Sequence, residues 1–115
     1  MVRRRRRYEA RQWLQINANQ YAFAGNRFGE TINALNFVED LYALGARKVE
    51  VTNIFNEKWR IRENGGPYAD TLIVTLPDDP GRRYDLIELA TAEMEQEGFP
   101  TESYFGEQRL ILWWD

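Results

Sequence analysis

Three stretches of the chain have the apolar pattern of β-strands. Thr71–Leu76 is apolar or β-branched at every position, which is typical of a central strand with a neighbour on each side. In Lys48–Phe55, Val49 and Val51 alternate with charged residues, as in a strand with one buried face. Residues 108–114 (QRLILWW) end the chain with a third strand-like run.

Two other stretches have helical spacing. The first is predicted to begin at Glu30 or Thr31 and to run to Leu44, because apolar residues recur every three or four positions before Gly45. The second is predicted over about Pro80 to Glu97. Its start and end are marked by the following residues: Asp79 as N-cap, Pro80 in the first turn, Gly98 as a left-handed cap, and Phe99 closing over Met94.

The segment from Tyr8 to Ala18 fits two patterns. With period two, Leu14, Ile16 and Ala18 share a face and predict a strand over 11–17. With period 3.6, the helical stripe is Ala10, Trp13, Leu14, Ala18 and Tyr21. We interpret the segment as a strand, because a right-handed crossover into the first helix requires one there.

The connections complete the predicted order. Residues 17–29 are rich in Asn, Gln, Tyr and Gly and are predicted to form a loop, as are residues 99–107. After a kink at Asn56 and Glu57, Trp59 and Ile61 continue the alternation, and residues 64–67 (NGGP) predict a hairpin turn into the central strand.

This order of strand, helix, strand, strand, helix, strand predicts a ferredoxin-like βαββαβ sandwich. Such an α+β fold has a four-stranded antiparallel sheet of order 4-1-3-2 with both helices on one face. The strands at 48–54 and 108–114 are then the two edges. We expect residues 8–115 to form a single domain and residues 1–7 to be a disordered basic arm.

Composition excludes several kinds of chemistry. The chain contains no cysteine and no histidine, so thiolate and imidazole metal sites, cysteine nucleophiles and histidine-dependent triads are absent. Asp78 and Asp79 are explained by a turn and a helix cap. We therefore expect no enzyme activity, no cofactor and no bound metal. There is no membrane-length apolar run and no signal-peptide pattern, and we expect a cytoplasmic protein.

Charge is distributed unevenly along the chain. The net charge is −3, yet five of the 15 basic residues form one run, and the rest of the chain carries about −8. The run consists of Arg3, Arg4, Arg5, Arg6 and Arg7. Arginine clusters bind phosphates, so nucleic-acid contact through this arm is one hypothesis; a solvated tail is the simpler alternative. Lys58, Arg60 and Arg62 form a basic strip at spacing two, such as an RNA-binding sheet might carry. Because the central strand 71–76 has no aromatic residue to stack on a base, we interpret the strip as cations guarding a strand edge.

The last strand is the most unusual segment. Five consecutive large apolar residues on an edge strand place both of its faces in apolar surroundings, whereas natural edges are usually blunted by charge or proline. Tryptophan is a preferred interface anchor. The predicted interface residues are Leu110, Leu112, Trp113 and Trp114. The alternative is that residues 8–29 cover the open face of the sheet, the face that the two helices leave free.

The leading hypothesis is therefore a non-catalytic protein that self-associates or docks a protein partner through its C-terminal strand. A second hypothesis, from a different class, is a binder of a small anionic or nucleotide-like ligand through the 17–29 loop. Its predicted ligand-binding residues are Asn19, Tyr21, Asn26 and Arg27, which offer amide, aromatic and cationic groups.

Overall fold

The computed structural model of the protein describes residues 6–98 and 108–115. Its strands, in chain order, are β1 (Tyr8–Glu9), β2 (Lys48–Phe55), β3 (Tyr68–Thr75) and β4 (Arg109–Trp113). Its helices are α1 (Ala10–Ile16), α2 (Gly25–Phe28), α3 (Thr31–Ala43), α4 (Lys58–Asn64) and α5 (Pro80–Gln96). The predicted contact of Phe99 and the predicted loop at 99–107 lie outside the described residues.

The four strands form one antiparallel sheet in the order β1-β2-β3-β4. The α+β class and the antiparallel four-stranded sheet are confirmed, but the predicted order 4-1-3-2 is wrong, and a ferredoxin-like arrangement is not supported. The predicted central strand is indeed central, since β3 pairs with β2 on one side and β4 on the other. β4 lies at the end of the strand order, as predicted, whereas β2 also pairs with β1.

The strand predicted at 11–17 is wrong, and this error explains the wrong topology. The segment is helix α1, which buries Ala10, Trp13 and Leu14 at helical spacing. The Glu9 carboxylate caps the helix by accepting hydrogen bonds from the amides of Arg11 at 3.0 Å and Gln12 at 2.6 Å. Only a two-residue strand remains before it, and that strand pairs with the edge of β2.

The antiparallel pairing of β2 with β3 is confirmed, but the tight hairpin turn predicted at residues 64–67 is wrong. Residues 58–64, expected to extend the strand, form helix α4, because Lys, Arg and Glu favour a helix where no sheet face needs covering. Gly65 has a φ of 92° and its amide donates to the Ile61 carbonyl at 3.0 Å, so it ends a helix instead of opening a turn. β2 and β3 are still neighbours, joined through α4.

The core lies on one face of the sheet. Register places Val51, Leu72 and Leu112 in one row across three strands, and each is at most 1% exposed. The parallel row contains Val49, Val74 and Leu110. The described helices α1, α3 and α5 contribute their buried residues to the same cluster. The predicted helices are confirmed as α3 and α5, and Asp79 caps α5 by accepting the Arg82 amide at 2.9 Å.

Candidate functional site

The last strand divides its apolar residues between two environments. Leu110, Leu112 and Trp114 point into the core and are at most 1% exposed. Ile111 and Trp113 point to the opposite face and are 57% and 42% exposed. Of the predicted interface residues, only Trp113 is therefore accessible to a partner, and Ile111 is an accessible neighbour that the prediction omitted.

Trp114 is the centre of a buried aromatic cluster. Its ring packs edge-on against Phe28 at 5.2 Å, Phe23 at 5.6 Å and Phe37 at 5.9 Å between centroids. Its indole N–H donates to Glu93 Oε1 on α5 at 3.1 Å. Part of the 8–29 segment thus covers this tryptophan through Phe23 and Phe28, on the core side of the sheet and not on the open face.

The face of the sheet opposite the core carries charged, polar and apolar side chains. Glu50, Ile73 and Ile111 form one row across β2, β3 and β4, and the next row contains Thr52, Thr71 and Trp113. A shallow groove of about 340 Å³ lies on this face, lined by Arg7, Thr52, Thr71, Ile73 and Ile111. We call this surface the open face. The described helices α1, α3 and α5 contribute their buried residues to the core on the opposite side of the sheet. On the open face itself Ile111 and Trp113 are exposed, whereas Glu50, Thr52 and Thr71 are at most 9% exposed.

The outer edge of β4 is adjacent to the open face. The Gln108 carbonyl accepts the Leu76 amide at 2.8 Å, and the Trp114 amide donates to Asp70 at 3.1 Å. Because antiparallel strands alternate the direction of their backbone groups, the amide and carbonyl of Ile111 point away from β3. In the part of the chain that the structure describes, no strand pairs with this edge.

The predicted ligand-binding residues do not form one site. Asn19 is 3% exposed, its side-chain amide donates to the Gly66 carbonyl at 3.2 Å, and its side-chain oxygen accepts the Tyr21 amide at 2.9 Å. Asn26 lies at the surface, where its side chain donates to the Asp115 carbonyl at 3.5 Å. Tyr21 is 60% exposed and, with Asn19, lines an open cavity of about 300 Å³, so the structure brings these two predicted residues together but not Asn26 or Arg27.

Arg27 contacts two buried residues of the protein itself, Glu93 and Phe28. Its guanidinium forms an ion pair with Glu93, with Nη2 3.3 Å from Oε2, and lies 4.5 Å from the centroid of the Phe28 ring. Since Glu93 also accepts the Trp114 indole N–H, one buried carboxylate ties α2, α5 and the end of β4 together. Arg27 is thus a structural residue in this conformation.

The amide-rich loop is fastened to the segment that follows α4. The Asn17 side chain donates to the Pro67 carbonyl at 2.9 Å and accepts the Asn19 amide at 2.9 Å. A Cβ at Gly66 would lie 2.2 Å from Asn17 Oδ1, so any larger residue there would displace the Asn17 side chain from its hydrogen bonds. We call these contacts the loop clasp. The hydrogen bonds of the clasp occupy side-chain amide groups of the 17–29 loop that the sequence suggested for binding a ligand.

Of the arginine run, the structure describes Arg6 and Arg7, and both are exposed. The Arg6 carbonyl accepts the Thr52 hydroxyl at 2.9 Å, which holds this end of the run against β2. Arg3, Arg4 and Arg5 lie outside the described residues. Nucleic-acid contact by the run stays a prediction.

A second exposed aromatic group was not singled out from the sequence. The Arg60 guanidinium lies 4.6 Å from the Trp59 ring centroid, 5.4 Å from Tyr68 and 5.9 Å from Phe55. Glu57 accepts from Arg60 Nε at 2.8 Å, and this hydrogen bond lowers the pKa of the Glu57 carboxyl. We call this group the α4 platform. The signal was the alternation of cations with Trp59 and Ile61, which we had assigned to a strand.

Two absences can be stated for residues 6–98 and 108–115. No three acidic side chains there are grouped as a metal ion would need. No helix there is long and apolar enough to cross a bilayer. Comparison with protein-family models, with curated protein sequences and with solved structures finds no match to the chain.

Proposed function

We propose that the protein self-associates through the outer edge of β4 and the adjoining open face. The observation that carries this proposal is the exposure of two large apolar side chains, Ile111 and Trp113, side by side on an edge strand. Neither side chain contributes to the core. An edge strand that exposes such residues is prone to pair with another strand, and soluble proteins usually protect it with charge.

The sequence of β4 is self-complementary about its middle residue. In an antiparallel pair of two β4 strands related by a two-fold axis, Ile111 of one copy lies opposite Ile111 of the other. Arg109 of each copy then lies opposite Trp113 of the other, where an arginine over an indole ring is attractive. Leu110 and Leu112 alternate with these residues on the core side, so pairing extends both faces of the sheet.

The other hypotheses have less support. A separate protein partner would use the same surface, but nothing on that surface specifies its chemistry. A small anionic ligand in the 17–29 loop is less favoured, because Asn19 and Arg27 make hydrogen bonds and an ion pair within the protein.

Sedimentation velocity from micromolar to submillimolar concentration tests the proposal. The wild-type protein is expected to shift from monomer towards dimer as concentration rises. The variant Ile111→Lys should stay monomeric, because it places two like charges at the two-fold axis. The matched control is Ile32→Lys on α3, where the isoleucine is 54% exposed and remote from β4 in the sequence.

A wild-type protein that remains monomeric over the whole range would contradict the proposal. An equal effect of both substitutions would also contradict it, since the association would then depend on general surface hydrophobicity. If Ile111→Lys alone is monomeric, the assignment of the edge is supported.

A further inference from the structure

The α4 platform is a surface that folding does not account for. No residue of α4 is fully buried, although Arg60 is partly covered, and such a short helix has little stability of its own. Trp59 is 46% exposed and Phe55 is 37% exposed, and neither belongs to the core cluster. Tyr68 is partly buried but does not belong to the core cluster. Its hydroxyl accepts a hydrogen bond from the Gly25 amide at 3.1 Å.

Arg60 holds the aromatic rings in place. Its guanidinium lies against three of them and is itself held by Glu57, and its side chain is only 20% exposed. One side of the Trp59 ring therefore faces Arg60, while nearly half of the residue remains in contact with solvent. An indole held in this way is a surface on which another planar group can stack.

Cations outnumber carboxylates on α4 and its N-cap. Lys58 and Arg62 are exposed and Arg60 is the third cation, whereas the carboxylates are Glu57, which is paired with Arg60, and Glu63, which is exposed. Arg6 lies against Thr52, three residues before Phe55 in β2. Because β1 runs antiparallel to β2, the backbone from Tyr8 back to Arg6 proceeds towards the Phe55 end of β2. Arg6 therefore lies towards the end of β2 from which the chain continues into α4.

From this juxtaposition we infer that the α4 platform binds single-stranded nucleic acid. A base stacks on the exposed side of Trp59, and the phosphates are neutralised by Lys58, Arg62, Arg6 and Arg7. Flexible single strands offer unpaired bases to aromatic side chains and phosphates to nearby cations, the two features that this surface combines. Arg60 is a positioning residue, since it orients the rings. Self-association uses a different edge of the sheet, and among the described residues Arg7, which lines the open-face groove with Ile111, is the one that both surfaces share.

Fluorescence anisotropy with labelled oligo(dT) and oligo(U) of about 16 nucleotides tests the inference. Trp59→Ala should weaken binding about tenfold, as removal of one stacking partner does, while Trp59→Phe should retain most of it. The matched control is Trp113→Ala, because Trp113 is similarly exposed at 42% but lies on β4. Far-UV circular dichroism checks that each variant is folded.

The salt dependence tests the role of the arginines. Between about 50 and 200 mM NaCl, the slope of log K against log salt should be shallower by about 1.4 when Arg6 and Arg7 are both changed to Gln. Equal binding of the two oligonucleotides supports a site that accepts either DNA or RNA, and preference for oligo(U) supports an RNA site.

Three results would overturn the inference. The first is no saturable binding of either oligonucleotide by the wild-type protein at the lowest salt. The second is unchanged binding by Trp59→Ala, which would assign any affinity to the arginine run alone. The third is an equal loss in Trp59→Ala and Trp113→Ala, which would remove the platform as the specific site.

Discussion

Replacing Glu93 with alanine is expected to destabilise the protein substantially, because one buried carboxylate serves two partners. Glu93 is 7% exposed and lies on α5. Its removal leaves the indole N–H of Trp114 without its acceptor in a core position that is 1% exposed. It also leaves the Arg27 guanidinium against Phe28 without its carboxylate.

The magnitude follows from these two losses. A buried donor left unsatisfied costs about 1–3 kcal/mol. The Arg27 side chain is 35% exposed, so solvent screening limits the loss of its ion pair to about 1 kcal/mol. We therefore expect Glu93→Ala to lower the free energy of unfolding by about 2–4 kcal/mol. Glu93→Gln, which can still accept the indole hydrogen bond, should cost less.

Urea unfolding followed by circular dichroism measures these free energies. The matched control is Glu95→Ala, an exposed glutamate on the same helix, for which we expect a change within about 0.5 kcal/mol. In a Trp114→Phe background, Glu93→Ala should cost about 1–3 kcal/mol less, since no indole N–H remains to lose its acceptor. If Glu93→Ala and Glu95→Ala lower the free energy of unfolding equally, the hydrogen bond from Trp114 and the ion pair with Arg27 do not stabilise the core, and this account is refuted.

Two further predictions concern the loop clasp and the start of α1. Gly66→Ala should lower the free energy of unfolding by about 1–2 kcal/mol, because the new Cβ displaces Asn17 from its hydrogen bonds. Urea titrations measure this change. The control is Gly81→Ala, whose new Cβ meets only an ordinary contact at 3.4 Å. Partial burial raises the pKa of Glu9, but hydrogen bonds from the Tyr42 hydroxyl and two backbone amides outweigh it, so the pKa lies below 4.5. The stability that Glu9 contributes is therefore fully present above pH 4.5 and is lost as the pH falls through its folded pKa; in acid titrations, Glu9→Gln should lose less stability over that range.

The sequence predicted the elements whose pattern is long and regular. α3, α5, β2 and the central part of β3 each present many positions of one period, and the caps at Asp79 and Gly98 lie where predicted, with Gly98 at a φ of 81°. α1 has seven residues and only three buried ones, and over so short a segment the periods of a strand and a helix overlap. The handedness argument then favoured the wrong choice.

The site was harder to predict for a related reason. An uninterrupted run of apolar residues, such as 110–114, does not show which of its two faces meets the core. That choice depends on the pairing of β4 with β3 and on the ring cluster around Trp114, whose members Phe23, Phe28 and Phe37 come from separate segments. A two-residue strand such as β1 has no detectable periodicity, so the sheet order was beyond the reach of pattern analysis.

Disulfide trapping tests the proposed self-association most directly, because the chain has no cysteine of its own. Opposed residues of an antiparallel pair have Cα atoms about 4.5–5.5 Å apart, within the range that a disulfide spans. With a single cysteine introduced by Ile111→Cys, mild oxidation should give covalent dimer rapidly, and far faster than the matched variant Ile32→Cys. Equal and slow cross-linking of the two variants would contradict the pairing of β4 with a second β4.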